Sequence, residues 1–353
     1  MRNYILLINI YFDFFIYFVI DNNLYTCFTV QNIQTSIFSI SNDEQFNELA
    51  LAVFHYQVEN CAVYRQFVEQ FPNKQHPQHY TEIPFLPISF FKSHRIAKEH
   101  IKEQVVFKSS GTTGQTRSQH FVEDLALYQQ SFTKAYQQLI GNPEEQVILA
   151  LLPNYIEQGN SSLVYMVDQL IQQTKNELSG FLLNQPEKIV ERYQSALQQN
   201  KKIVLFGVSY ALLDLAEQNI NLQKATIIET GGMKGRRKEL SKEELHQALI
   251  KGLKVEYISS EYGMTELLSQ AYSDKNGLFQ HPAWMKILIR DVNDPFSLVQ
   301  EGKSGGINVI DLANINSCSF IATEDLGKME GHLFKVLGRI DLSDIRGCNL
   351  LVQ

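Results

Sequence analysis

The chain has 353 residues, 44% of them hydrophobic and 20% charged, with a formal net charge of −7. That length can bury a core as one large domain or two ordinary ones, and the composition excludes a disordered chain. The negative balance, with no basic stripe to offset it, argues against a nucleic-acid binder. The four cysteines (Cys27, Cys61, Cys318, Cys348) are scattered, with no C-x-x-C pair and no histidine at metal-ligand spacing. Neither a structural zinc site nor a disulfide framework is expected, and a reducing cytoplasm is the expected location.

The first forty residues differ from the rest. MRNYILLINIYFDFFIYFVI is apolar and aromatic, but Asp13 interrupts it and no small-residue cleavage site follows. It falls short of a clean membrane span, which takes about 20 apolar residues, and fits a secretory signal poorly. Three readings stay open for residues 1–40: a membrane anchor, a buried or ill-ordered extension, or upstream codons outside the functional protein. The last two are favoured, so these residues are read as an apolar extension before the domain over residues 41–353, and membrane association is not expected. SNDEQFNELALAVFHYQVENCAVYRQFVEQF spaces apolar residues helically and offers Ser41 or Asn42 as a cap, so it predicts one long amphipathic helix. HYTEIPFLPISFFKSHRI carries two prolines and predicts an extended connector. The strand-like QVVF leads into a loop, after which FVEDLALYQQSFTKAYQQLI is helical again.

Beyond that helix, QVILALLP, KKIVLFGVS, ATIIET and KVEYISS alternate with the helical SSLVYMVDQLIQQ, YALLDLAEQ and SKEELHQALIKG. This rhythm predicts an α/β fold with a largely parallel sheet flanked by helices. The last stretch, from GGINVIDL to GRIDL, is richer in strands and turns and predicts a small β-rich C-terminal subdomain.

The loop FKSSGTTGQTR, residues 107–117, concentrates glycine, hydroxyl and cationic side chains. A Walker loop needs G-x-x-x-x-G-K-[ST], but Gly111 and Gly114 are too close, Gln115 follows Gly114, and Lys108 lies on the wrong side. What remains is a hydroxyl-rich hairpin whose N–H groups can wrap a pyrophosphate, or a plain surface turn. SSEYGMTELLS, residues 259–269, follows a β-run, where open α/β sheets bind ligands. Tyr262 there can stack on a base, Thr265 can hold a phosphate oxygen and Glu266 can hold Mg2+. Taken singly, Tyr262 is also good core filler and Glu266 an ordinary first-turn acid.

SSGTTGQTR, YGMTE, TEDLG and GRIDLSDI, in that order, resemble the motifs of the adenylate-forming enzymes. With LLPNYIEQGNSSLVYMV (151–167), ETGGMKGRRKEL (229–240) and the ending DIRGCNLLVQ, the chain from residue 41 onward most resembles their short branch, the LuxE-type acyl-protein synthetases. The resemblance implies the adenylate-forming large-domain fold, with ATP and Mg2+ bound. It implies that Ser109, Ser110, Gly111, Thr112, Thr113 and Gly114 close over the β- and γ-phosphates. Gly231 and Gly232 would line the adenine by backbone, with Tyr262 stacking on the base. Thr265 would touch the α-phosphate, Glu266 would hold Mg2+, Asp325 would accept from the ribose hydroxyls, and Arg339 would sit beside the nucleotide.

Only residues 340–353 follow Arg339, and none is a lysine. On this resemblance, the mobile C-terminal domain of most adenylate-forming enzymes, which brings a lysine into the site, is expected to be largely absent. Lys108, Arg117, Lys234 and Arg236 are candidates to replace that cation, with Lys234 and Arg236 ranked first because they sit in the glycine turn. Cys348, in RGCNLL, matches the place of the acyl-accepting cysteine of acyl-protein synthetases, and Arg346 nearby would help lower its pKa. A small buried hydrophobe is the plainer reading, kept for Cys27, Cys61 and Cys318.

Together these imply ATP-dependent activation of a carboxylic acid, by resemblance a long-chain fatty acid, as its acyl-adenylate. The acyl group would pass to Cys348 as a thioester, for an acyl reductase or acyl carrier partner to collect. Two alternatives stay open: an acyl- or aryl-CoA ligase, and a nucleotide-binding scaffold subunit that has lost catalysis.

Overall fold

The computed structural model describes residues 15–16, 28–110, 116–153, 160–231 and 240–340. A short antiparallel pair, β1 (Phe15–Ile16) and β2 (Phe28–Thr29), precedes helix α1 (Val30–Ser36). Asn42 then opens α2 (Asp43–Asn60), its side chain accepting the Gln45 N–H at 2.9 Å, while Asp43 and Glu44 complement the positive end of the helix. The one long helix expected here is two. Cys61 is buried with extended backbone (φ −111°, ψ 101°), and the chain restarts as α3 (Ala62–Glu69). The break lets Phe54 of α2 and Tyr64 of α3 meet edge-on at 6.1 Å inside the core.

The proline-bearing connector holds a two-residue strand, β3 (Leu86–Pro87), and a single helical turn, α4 (Phe90–Ser93). Strands β4 (Val105–Lys108) and β5 (Gln119–Val122) then pair as an antiparallel hairpin, so the Ser/Thr/Gly stretch is its closing loop. Asp124 caps α5 (Leu125–Leu139) through two backbone N–H groups.

The expected alternation follows: β6 (Gln146–Leu151), α6 (Ser162–Thr174), β7 (Gly180–Phe181), α7 (Lys188–Gln198), β8 (Lys202–Val208), α8 (Ser209–Ala216), β9 (Ala225–Thr230), α9 (Lys242–Leu253) and β10 (Ser259–Tyr262). Of these, β7 and α7 were not anticipated. Strand β6 is buried along its whole length and β8 from Ile203 onward, which is why both read as unbroken apolar runs. The chain ends in β11 (Ala271–Ser273), β12 (Phe279–Gln280), β13 (Met285–Arg290), β14 (Ser304–Asp311), β15 (Phe320–Glu330) and β16 (Leu333–Arg339).

These strands form one 12-stranded sheet in the order β13-β14-β15-β16-β12-β11-β10-β9-β8-β6-β7, with β3 pairing in parallel to β15. From β7 to β10 the neighbours are parallel, and from β10 to β13 they are antiparallel. The fold is mixed α/β. The strand-rich C-terminal stretch supplies most of its antiparallel half. Cys61 and Cys318 are buried and free. Among the described residues no helix is long and apolar enough to cross a membrane.

Within the first forty residues, Ile33 and Ile37 are fully buried and Phe38 meets Trp284 edge-on at 4.8 Å. Truncating Ile37 to Ala should therefore cost about 2–5 kcal/mol through lost burial and a residual cavity. Truncating Leu337, 46% exposed, should cost far less. Urea unfolding of the two variants beside the parent chain checks both, and equal small losses would mean that residue 37 packs on nothing that matters.

Candidate active site

Strands β6, β9 and β10 run the same way, so the segments leaving their carboxyl ends share one edge of the sheet, the edge where such sheets bind ligands. Ser260 lies beside Glu229 in the β9–β10 register, so the chain leaves the sheet at neighbouring points, Gly231 and Gly263. Gly231 is exposed and adopts φ +72°, a left-handed backbone that glycine takes without strain. Its carbonyl accepts the Ser209 hydroxyl at 2.6 Å.

The β4–β5 hairpin is tied to this edge at two points. The Lys108 N–H donates to the Asn160 carbonyl, beyond β6, at 2.8 Å. On the other arm, His120 Nδ1 lies 2.8 Å from the Thr265 carbonyl, beyond β10. A carbonyl only accepts, so the hydrogen is on Nδ1. Burial holds His120 down at about 4, leaving a neutral ring. The loop mouth is closed by Ser109 N–H to the Ser118 carbonyl at 3.1 Å and Ser118 N–H to Ser109 Oγ at 3.0 Å. Ser109 is half-buried and Ser110 exposed at the start of that loop.

The Thr265–Glu266 turn is fixed from behind. Asn314 donates to the Glu266 carbonyl at 2.7 Å. The fully buried Asp311 accepts the Leu268 and Ser269 N–H groups at 2.8 and 2.9 Å, and the Ser269 hydroxyl at 2.6 Å. Trp284 Nε1 donates toward Ser269 Oγ at 2.9 Å. Glu266 itself is 5% exposed. Burial pushes its carboxyl up, and the Ser118 side chain, its own backbone N–H and the charges of Lys92 and Arg339 pull it partly back. Thr265 is half-buried.

Tyr262 ends β10 with its ring edge-on to Phe279 at 5.9 Å and Phe334 at 5.5 Å, and its hydroxyl donates to Asp325 Oδ2 at 3.0 Å. Asp325 faces Arg339 across β15 and β16, where Arg339 Nε stands 3.9 Å from Asp325 Oδ1 and the arginine side chain is 83% exposed. Burial raises the Asp325 carboxyl, while the Tyr262 hydrogen bond and Arg339 counter it. Behind them Arg290 is buried, donating to the carbonyls of Ile307 (2.7 Å) and Thr323 (2.6 Å) and to Asn308 Oδ1 (2.9 Å). Gly306 makes room for it, since a Cβ there would come within 2.5 Å of the guanidinium carbon.

Two acids at the ends of β9 and β10 alternate to opposite faces of the sheet. Glu229 accepts the hydroxyls of Ser209 at 2.6 Å and Ser260 at 3.1 Å. Glu261 accepts the Thr230 hydroxyl at 2.6 Å.

The structure thus brings Ser109, Thr265 and Glu266 together through the hairpin, and Tyr262, Asp325 and Arg339 together through the sheet, with Gly231 at the neighbouring strand end. Gly111, Thr112, Thr113, Gly114, Gly232, Lys234, Arg236 and Cys348 lie outside the described residues. Sequence reasoning missed His120, Asn314, Asp311 and Arg290. Each acts on backbone or side chains distant along the chain, and none belongs to a spaced motif.

A family model described as acyl-protein synthetase, LuxE, matches residues 19–353. No curated protein matches the sequence. Among solved structures, the chain is similar to ATP-bound MatB from Rhodopseudomonas palustris at 18% identity, covering 66% of this chain and 47% of that one with a TM-score of 0.47. It is also similar to the amide bond synthetase McbA from Marinactinospora thermotolerans (17% identity, 67% and 49% covered, TM-score 0.48). A third is the O-succinylbenzoate coenzyme A synthetase MenE from Bacillus subtilis in complex with ATP and magnesium ion (18% identity, 66% and 49% covered, TM-score 0.46). The chain spans about half the length of these structures.

Glu261 gives the site a measurable pH signature. Burial above all, and then the charge of Glu229, push its carboxyl up to about 7, against the Thr230 hydrogen bond and Lys242. Because the folded value is raised, the group's contribution to stability is complete below the ordinary carboxylate range and is lost as pH rises through about 7. Urea midpoints at about pH 5 and about pH 8 should therefore differ less in Glu261→Gln than in the parent chain. An unchanged difference would assign that slope to another group.

Proposed function

The chain belongs to the acyl-protein synthetase, LuxE, family, and from that premise we propose that it uses ATP to activate a carboxylic acid as an acyl-adenylate, releasing pyrophosphate. One observation carries the reading: a single hairpin joins Ser109, at the root of the Ser/Thr/Gly loop, to the turn that presents Thr265 and Glu266. Adenylation needs the acid carboxylate and the α-phosphate in line while charge on the phosphates is neutralised, so positioned groups do most of the catalysis.

In this reading Ser109 and Ser110, with Gly111, Thr112, Thr113 and Gly114, wrap the β- and γ-phosphates. Thr265 touches the α-phosphate. Gly231 and Gly232 meet the adenine through backbone, and Tyr262 stacks on the base while its hydroxyl holds Asp325 toward the ribose. Arg339, exposed beside Asp325, flanks the nucleotide, and Lys234 and Arg236 are assigned the cationic contact to the α-phosphate.

Glu266 fits a magnesium contact. Its carboxylate is buried beside Ser118, and Lys92 and Arg339 act on it without forming an ion pair among the described residues. Mg2+ is ordinarily held by one or two carboxylates together with substrate phosphates. Among the described residues no group of three or more His, Cys, Asp and Glu could hold a metal alone. Bound there, the ion would offset charge gathering on the departing pyrophosphate.

The second half-reaction is assigned to Cys348: its thiolate attacks the adenylate carbonyl, the acyl–phosphate bond breaks, and AMP leaves. Family membership makes a long-chain fatty acid the first substrate to try and an acyl reductase or carrier the natural recipient of the thioester.

The purified protein should catalyse acid-dependent ATP–pyrophosphate exchange with Mg2+, and Glu266→Gln should slow it by about 10²-fold, the scale of losing one contact to developing charge. No exchange with any acid across a broad panel would favour the nucleotide-binding scaffold. Labelled acid plus ATP should also leave a label on the protein that survives denaturation and yields to neutral hydroxylamine. Cys348→Ser should lose that label and keep exchange. Labelling that appears only on adding coenzyme A would replace self-acylation with a CoA ligase.

A further inference from the structure

His120 has no assigned part in the reading above, yet it is 1% exposed and sits where the two halves of the phosphate site meet. It stands on β5, two residues past Ser118, which closes the loop mouth against Ser109. Its Nδ1–H reaches the carbonyl of Thr265, a partner 145 residues away in sequence, and its ring meets Phe91 edge-on at 5.9 Å. A cavity of about 10 Å³ lies beside it, lined in part by Leu268, Asn314 and Asn316. The Oδ1 atoms of Asn314 and Asn316 are buried with no partner. Asn314, through its amide nitrogen, is the residue that holds the Glu266 carbonyl.

We propose that His120 is a positioning residue for nucleotide activation: it locks the Thr265–Glu266 turn to the strand bearing the phosphate loop, with Asn314 bracing the same turn from the other side. This rests on the activation reading. The two adjoining carbonyls of the turn are each claimed by one side-chain N–H, Thr265 by His120 and Glu266 by Asn314. The turn is thereby fixed relative to both the hairpin and the antiparallel half of the sheet. A bond to a backbone carbonyl places the main chain and leaves the Thr265 and Glu266 side chains free to face phosphate and metal. Losing it should leave nucleotide affinity nearly intact while relaxing the alignment of reacting atoms, which acts on kcat rather than on KM.

Two variants separate this from simple packing. His120→Leu removes the donor, whereas His120→Asn keeps an N–H close to the Nδ1 position. In ATP–pyrophosphate exchange, the Leu variant should lower kcat by about 10- to 100-fold with KM for ATP shifted by less than about 3-fold, and the Asn variant should recover most of the loss. A folded Leu variant with parental kcat overturns the proposal, as does a loss that the Asn variant does not recover. Hydrogen exchange read by mass spectrometry gives an arm independent of activity. Peptides covering residues 264–268 should exchange faster in the Leu variant and at the parental rate in the Asn variant, and unchanged exchange in both overturns the lock. If no acid supports exchange, the activation reading fails while this arm still reports on the bracket. Should neither variant fold, nitrogen NMR of the parent protein decides: a neutral ring protonated at Nδ1 supports the bond to Thr265, and protonation at Nε2 overturns it.

Discussion

Strand β10 has to satisfy two hydrogen-bonding patterns within four residues, parallel to β9 on one side and antiparallel to β11 on the other. A parallel strand is normally followed by a crossover long enough to hold a helix. Here the chain must instead reverse and come back alongside, and residues 263–270 are all it has to do so. The reversal carries Thr265 and Glu266. Because the strand is shared, groups from both halves of the sheet gather at its end: Gly231 from the parallel side, Asp325 and Arg339 from the antiparallel side by way of the Tyr262 hydroxyl.

A tight reversal buried on one side leaves peptide groups that water cannot reach, and each needs a partner. The partners are buried polar side chains: Asp311 accepts the Leu268 and Ser269 N–H groups and the Ser269 hydroxyl, Asn314 donates to the Glu266 carbonyl and His120 to the Thr265 carbonyl. Behind Tyr262 and Asp325, Arg290 is likewise held by oxygens of Ile307, Asn308 and Thr323, and neither it nor Asp311 forms an ion pair among the described residues. Taking charges from water without a counter-charge is costly, and directional hydrogen bonds offset that cost only when every donor and acceptor is in place. The frame around the turn is therefore intolerant of small displacements, which suits the alignment role proposed for it.

The parts of this arrangement visible in the sequence are those with a local physical cause. Asn42, Asp124, Ser161 and Ser241 accept N–H groups of the helices they precede, so the caps are local and the helices legible. Strands β6 and β8 announce themselves by their near-continuous burial, and β9 by its four buried C-terminal residues. The motifs at 109–114 and 262–266 carry their spacing with them. Cys61 does not: it splits a continuous apolar periodicity because the core, not the local pattern, dictates where the chain bends. His120 and Arg290 are equally silent, since a side chain that bonds to a distant carbonyl leaves no constraint on the residue it bonds. Strand β7, two residues long, is too short to show any period at all.

Trp284 is the one tryptophan in the sequence. Its indole is 4% exposed and its Nε1–H is shared between Ser131 at 3.1 Å and Ser269 at 2.9 Å, the latter bonded in turn to Asp311. The intrinsic tryptophan emission of the whole chain thus originates at a single position, in the hydrogen-bonded scaffold directly behind the Thr265–Glu266 reversal. Any rearrangement that lets solvent reach that scaffold would shift the emission to longer wavelength without interference from a second fluorophore of its kind. The protein carries, unlabelled, an optical gauge of the order of its own Thr265–Glu266 turn.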